Sequence, residues 1–177
     1  LNYVISVSDV PGCTLRRMWI DEKEWTASGT VHPDYGTEGA GRWAGKAWVR
    51  WKDGTQTTAD AMLLAKYGSA TVRPWSSDMV GRGVCHSILT FLFDRSEFDA
   101  LPRVLFEVDG IALYDPRKDS TAGGSGAHRW GNPATYEPSD NPMVIAYNVA
   151  RGIELTGIGV WGGGYAAEDL PPAWWTA

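Results

Sequence analysis

Val84-Cys-His-Ser-Ile-Leu-Thr-Phe-Leu-Phe93 decides how this chain is read. The run is rich in β-branched and aromatic residues and holds neither Gly nor Pro. A strand with one wet face alternates apolar and polar side chains; a strand covered on both faces has no need to. Residues 84–93 therefore predict the central strand of a sheet, buried on both sides and entered through Gly81-Arg82-Gly83. Downstream, residues 94–102 read as a turn segment anchored by Phe98 and Leu101. Val104 to Val108, Asp109-Gly110 and Ile111 to Tyr114 then predict a hairpin, because Asp-Gly between apolar runs is a strong tight-turn signal.

Upstream, Tyr3 to Ser8 alternates with period two, with Tyr3, Ile5 and Val7 on one face. Thr14 to Asp21 is a second strand, and a polar reversal at Asp21-Glu-Lys-Glu24 leads to Trp25, which predicts a short hairpin. Residues 28–41 are rich in Gly, Ser and Thr and read as a surface loop. Ala47 to Trp51 is a further strand, followed by a turn at Asp53-Gly54. A first helix is expected at about 57–67. Thr57 or Thr58 would cap it, Asp60 would sit in its first turn, and Gly68 would stop it in the left-handed conformation. Thr71 to Arg73 should be briefly extended.

After Tyr114 the character changes. Residues 115–132 are polar and Gly-rich. A second helix is expected at about 142–151, with Asn141 as cap, Pro142 as first residue, Arg151 in the last turn and Gly152 as stop. Apolar residues cover nearly all of its circumference, so it should be buried between layers or subunits. The fold class that follows is α+β, mainly β: an antiparallel sheet, barrel or sandwich with two short helices. The expected domains are a β-rich part, 1–116, and a Gly-rich loop with the buried helix and a Trp-rich tail, 117–177, as an incomplete piece of something larger.

Composition narrows the function classes. Of 177 residues, 44% are hydrophobic and 21% charged, as in an ordinary globular chain. The net charge of −5 argues against binding nucleic acid by phosphate neutralisation. No apolar stretch is long enough for a membrane-spanning helix. Ten tryptophans are the outstanding feature, and most of those rings must be packed somewhere. The chain opens inside a strand without Met and ends near Trp174-Trp175, which predicts a piece of a longer protein.

The search for chemistry returns little. Cys13 and Cys85 are too few for a four-Cys metal site and read as buried thiols, with a single bridge as the alternative. His32, His86 and His128 have no partner at metal-ligand spacing. Cys85 and His86 are neighbours on a strand and point to opposite faces, which argues against a shared metal; they also invite a thiol-hydrolase reading, but no helix N-terminus and no second oriented His is present to activate the thiol. Asp115 and Asp119 stand four apart with Arg117 and Lys118 between them, which suits an Asx-turn with a salt bridge better than a calcium loop. Gly123-Gly-Ser-Gly126 lacks the following helix and Lys of a phosphate loop. No catalytic, cofactor or metal residue is assigned, and the expected protein is not an enzyme and needs no cofactor. The candidate assembly interface is Val144, Ile145, Tyr147, Trp161, Trp174 and Trp175, apolar and aromatic members of the helix and tail.

Several blocks share the character of one protein family. They are Phe106-Glu-Val-Asp-Gly110, Leu113-Tyr-Asp-Pro-Arg-Lys-Asp-Ser-Thr-Ala-Gly-Gly-Ser-Gly-Ala-His-Arg-Trp130, Asn132-Pro-Ala-Thr-Tyr136, Asp140-Asn-Pro-Met-Val-Ile-Ala-Tyr-Asn-Val-Ala-Arg-Gly152, Trp161-Gly-Gly-Gly164 and Leu170-Pro171. In this order they resemble the tail-tip or baseplate-hub proteins of long-tailed bacteriophages and prophages, the group that includes the host-attachment tail-tip protein of lambda-like phages. The resemblance is clearest from about Val84 to Leu170. It implies a tail-tube-like β fold and a structural, non-enzymatic role in the virion tail. It also implies partners: the tail tube, distal tail, tape-measure and fibre proteins, and two further copies in a homotrimer. It implies neither nucleic-acid binding nor membrane insertion. A carbohydrate or cell-surface binding module of such a tail protein is the alternative, drawn from the Trp content; a cell-wall hydrolase is the second.

Overall fold

The computed structural model describes residues 1–98, 100–155, 159–171 and 174–175. It divides into two units, Leu1–Asp109 and Gly110–Ala177, with the boundary ahead of the 116/117 division expected from composition. The strands are β1 Asn2–Ser8, β2 Thr14–Ile20, β3 Lys23–Trp25, β4 Ala27–His32, β5 Gly36–Gly39, β6 Ala47–Asp53, β7 Cys85–Phe91, β8 Val104–Asp109, β9 Ile153–Leu155 and β10 Gly159–Trp161. The helices are α1 Ala61–Tyr67 and α2 Pro142–Arg151. The fold is mainly β with antiparallel sheets, as expected. The sheets are open and sandwich-like rather than closed into a barrel.

In the first unit a five-stranded sheet runs β1-β7-β6-β5-β4 and a three-stranded sheet runs β3-β2-β8. Every residue of β7 is buried. Side chains alternate across a strand, so Leu89 and Phe91 take one face and Ile88 the other. Leu89 and Phe91 join Met18 and Ile20 of β2, Val49 of β6 and Phe98 in the main core. Ile88 packs with Met62 and Leu63 of α1. Thus one strand feeds two apolar clusters, which is why its sequence does not alternate. Each of these large side chains contributes roughly 2 kcal/mol on burial. The strand is shorter than expected: Leu92 and Phe93 are mostly exposed. It also sits second in the sheet order, between β1 and β6, rather than at the centre.

The β2–β3 hairpin forms as expected, through Asp21 and Glu22, both at positive φ. Asp21 Oδ1 accepts the Arg103 N–H at 2.8 Å, which ties the turn to the start of β8. The expected 104–114 hairpin does not form. β8 pairs with β2 instead, and neither Asp109 nor Gly110 adopts the positive φ that a two-residue hairpin turn requires. Residues 28–41 are not a loop either. β4 and β5 pair there and extend the sheet from β6. β4 is an exposed edge strand held by backbone pairing, so it carries no apolar alternation to read. Gly36, at φ 87°, lies where a Cβ would be 2.6 Å from the Val49 carbonyl oxygen, so only Gly fits the approach of β5 to β6. Residues 71–73 are bends rather than extended chain, and Leu101 is exposed rather than an anchor.

α1 starts later than expected. Asp60 is its cap rather than a first-turn residue, and its Oδ1 accepts the N–H groups of Met62 and Leu63. Its Oδ2 takes Arg50 at 2.5 Å and Lys52 at 3.3 Å, so this buried carboxylate anchors the helix to β6. Gly68 ends the helix in right-handed geometry, φ −62°, not left-handed. α2 matches its capping signals: Asn141 caps Met143 and Val144, Pro142 opens, and Gly152 at φ 95° closes.

Two measurements follow. Amide exchange should be slowest at Ile88 to Phe91, with Phe93 exchanging faster, because the former are paired and covered while Phe93 lies beyond the strand and is mostly exposed. Ser87, fully buried, has a hydroxyl without a hydrogen-bond partner. Ser87→Ala should therefore raise unfolding stability by about 1 kcal/mol in denaturant titration, the opposite of the usual sign for a core substitution.

Candidate functional site

The second unit is organised around Tyr114. Its ring is buried, and its phenol donates to Asp119 Oδ2 at 2.8 Å. Its backbone is claimed by Asn148 of α2: the Tyr114 N–H donates to Asn148 Oδ1 at 3.0 Å, and Asn148 Nδ2 donates to the Tyr114 carbonyl at 2.7 Å. The Asn148 amide therefore acts as a strand neighbour would, and its second N–H satisfies the Val144 carbonyl. Around the Tyr114 ring stand Trp130, Tyr136 and Tyr147 at centroid distances of 5.3 to 5.8 Å. Offset and edge contacts of this kind add to the area they bury.

The Gly-rich stretch after Tyr114 is held together by two buried carboxylates. Asp115 Oδ1 accepts the Arg117 N–H, and the Arg117 guanidinium grips both oxygens at 3.0 and 2.7 Å. Asp119 accepts from Thr121 N, Thr121 Oγ1 and Arg129 Nη1, besides Tyr114. Burial alone would raise the Asp119 carboxyl, but the Thr121 and Tyr114 hydrogen bonds and the Arg129 charge outweigh it and hold the group at about 2. Burial and the same Asp119 contact push the Tyr114 phenol well above its ordinary range. His128 Nδ1 accepts the Asp115 N–H at 3.0 Å, so that ring is part of the scaffold. The loop is thus Asx-turns with arginine partners, as its spacing suggests. Among the described residues no group of three His, Cys, Asp or Glu side chains could hold a metal ion.

The six candidate interface residues separate into two sets. Val144 and Tyr147 are 2% and 1% exposed and face the interior of their own unit. Trp175 is half-buried with its ring 5.3 Å from Tyr147. Ile145, Trp161 and Trp174 stand outward at 40%, 57% and 68% exposure. Met143, Val160 and Tyr165 are exposed beside them in the sequence. α2 therefore buries one side and leaves the other bare, instead of being covered all round. The mid-helix Asn148 was not singled out by sequence reasoning; an amide four residues after Val144 in an apolar helix is the signal that could have found it.

Beside α2 lies a cleft of about 390 Å³, lined by Trp130, Tyr136, Asn148, Arg151, Glu154 and Val160 among others. The Arg151 guanidinium lies 4.2 Å from the centroid of the Trp130 ring and donates to the Tyr147 hydroxyl at 3.2 Å. In the first unit, Cys85 and His86 lie on opposite faces of β7. The Cys85 thiol meets the carbonyls of Val10 and Asp53, and His86 Nδ1 meets the Val84 carbonyl. Neither arrangement pairs a nucleophile with a base. His32 Nδ1 accepts the N–H groups of Asp34 and Tyr35 and shapes the β4–β5 turn. Among the described residues, no helix is long and apolar enough to cross a membrane.

Comparison with protein-family models, with curated proteins and with solved structures gives no match.

The Asp119 network predicts a pH dependence. A carboxyl held at about 2, against an ordinary 3.8, stabilises the folded state above the ordinary value. That contribution is lost as pH falls from about 4 through 2. Asp119→Asn should lower the melting temperature at neutral pH, by the equivalent of about 2 kcal/mol, and should flatten the decline of stability across that acid window. Melting curves at a series of pH values would test it, and parallel declines in the two proteins would contradict it.

Proposed function

We propose that this chain is a structural part of a phage tail tip or baseplate hub, and that it works by assembly rather than catalysis. The observation that carries the reading is the bare apolar surface of the second unit. Between Met143 and Trp174, six large apolar side chains are 40% to 69% exposed. Exposed apolar side chains, where they form one patch, mark an interaction site. The segments that bear the family resemblance also form one physical module. Residues 113–130 and 140–152 are joined by the Tyr114–Asn148 hydrogen bonds and the Tyr114–Tyr147 contact. In this reading the buried network is a rigid mount. It presents Ile145, Trp161 and Trp174 to other tail proteins or to further copies in a homotrimer of the virion tail. The mainly β architecture is compatible with a tail-tube relationship.

A carbohydrate or cell-surface binding role is the second reading, and the cleft beside Arg151 favours it, since it mixes aromatic walls with Glu154 and Arg151. Its weakness is also geometric: the Arg151 guanidinium already lies against the Trp130 ring. A glycan array with the isolated chain separates the two readings.

Substitutions on the two sides of α2 test the assembly role. The double variant Ile145→Asp with Trp161→Asp should fold, because both sites are exposed, with a stability change within about 1 kcal/mol. It should still prevent tail assembly, scored by counting completed tails in electron micrographs of phage lysates. Val144→Asp should instead unfold the second unit, at a cost above roughly 3 kcal/mol, because it buries an unpaired carboxylate. Normal numbers of completed tails from the folded double variant would refute the assembly surface.

A further inference from the structure

Cys13 and Cys85 belong to different sheets of the first unit. Cys13 immediately precedes β2, and Cys85 is the first residue of β7; both are buried, at 5% and 0% exposure, and both are free thiols. The Asp9–Cys13 turn folds directly over Cys85. The Cys85 Sγ lies 3.0 Å from the carbonyl oxygens of Val10 and of Asp53. The Gly12 N–H donates to the same Asp53 carbonyl at 2.7 Å. Trp51 Nε1 donates to the Cys13 carbonyl at 2.9 Å and fixes the backbone there. Burial and the neighbouring Cys85 thiol are what raise the Cys13 thiol.

We propose that Cys13 and Cys85 form a built-in disulfide site, open in the reduced protein and closed by a low-molecular-weight disulfide such as oxidised glutathione, which joins β7 to the entry of β2 across the two sheets. One protein thiolate attacks the oxidant, forming a mixed disulfide and releasing one small thiol. The second protein thiolate then displaces the other small thiol. Two protein thiols are oxidised to one S–S bond, the oxidant is reduced to two thiols, and those thiols carry away the two protons.

The surroundings tolerate the loss of the thiol proton. The Val10 carbonyl also accepts from Ser8 Oγ, and the Asp53 carbonyl also accepts from Gly12 N. Neither oxygen is left without a donor when Cys85 becomes part of a bridge, so closure adds no buried unsatisfied acceptor. The bridge also closes a long stretch of chain, which restricts the unfolded ensemble more than a short loop would. Access is the slow part. Both sulfurs are covered, so the oxidant reaches them only when the Asp9–Cys13 turn opens. Burial and the adjacent Cys85 thiol push the Cys13 thiol up to about 11, so closure is slow at neutral pH and accelerates as pH rises. None of this rests on the tail-assembly reading.

The test is oxidation of the full chain with oxidised glutathione at mildly alkaline pH, followed by intact-mass measurement and non-reducing proteolysis. The expected product is a monomer lighter by two hydrogens, in which the peptides carrying Cys13 and Cys85 are linked. Its denaturant midpoint should exceed that of the reduced protein and return on addition of dithiothreitol. Cys13→Ser and Cys85→Ser should each stop at a single glutathione adduct on the remaining thiol. Four outcomes would overturn the proposal: adducts on both thiols without a bridge, dimers alone, no reaction where the urea-unfolded chain does form the bridge, or a bridged protein with a lower midpoint than the reduced one.

Discussion

Covering both faces of β7 is the constraint on which the first unit depends. A strand that is wet on one side can be held by a single layer. A strand that carries Ile88 on one face and Leu89 and Phe91 on the other needs two layers, and each must come from elsewhere in the chain. β2 and β8 supply one cover. α1 supplies the other, and it can do so only because Asp60 caps it while gripping Arg50 and Lys52 on β6. The buried Asp60 carboxylate is therefore not an isolated ion pair of doubtful worth. Its remaining oxygen is satisfied by two backbone N–H groups, so the desolvation of the charge is offset on all sides.

The second unit solves a different problem with the same economy. It has few long strands, and its core is one aromatic cluster around Tyr114. An aromatic cluster packs well but does not by itself choose one backbone register. Asn148 supplies the choice, because its amide pairs with both the N–H and the carbonyl of Tyr114. Asp119 supplies it again from the other end of the same side chain. Polar groups in such a core add specificity only when fully satisfied, and here the Tyr114, Asp119 and Asn148 side chains all have partners.

Local signals were the legible part of the sequence. α2 could be placed from Asn141, Pro142 and Gly152 because caps act over three or four residues and owe nothing to the rest of the fold. The burial of β7 was legible for a related reason, since a run without polar relief has few other homes. What was not legible depends on partners far away in the chain. β8 could have turned back at Asp109-Gly110 or crossed to β2, and the dipeptide alone does not tell which. β4 and β5 are held by main-chain pairing between small residues, so their composition reads as loop while their geometry is sheet. The Asx-turn at Asp119 was legible from its spacing, but its two distant partners were not: Arg129 and Tyr114 look like ordinary polar and aromatic residues until the chain folds them onto one carboxylate.

The tryptophans show how composition alone misleads about function. An excess of indole rings suggests either a binding platform or a heavily packed core, and this chain uses the rings for several separate ends. Trp43 is sealed in the main core and donates to the Glu24 carbonyl, while Trp51 donates to the Cys13 carbonyl; these rings fix backbone positions as much as they fill space. Trp130 is locked between Tyr114 and the Arg151 guanidinium. Among the described residues only Trp161 and Trp174 stand mostly free, and both belong to the second unit. A platform for sugar rings would keep its aromatic faces clear and aimed into a cleft. Rings that stand outward from the surface are better suited to burial against another protein surface. The distribution of the rings, rather than their number, is what supports the proposed assembly role.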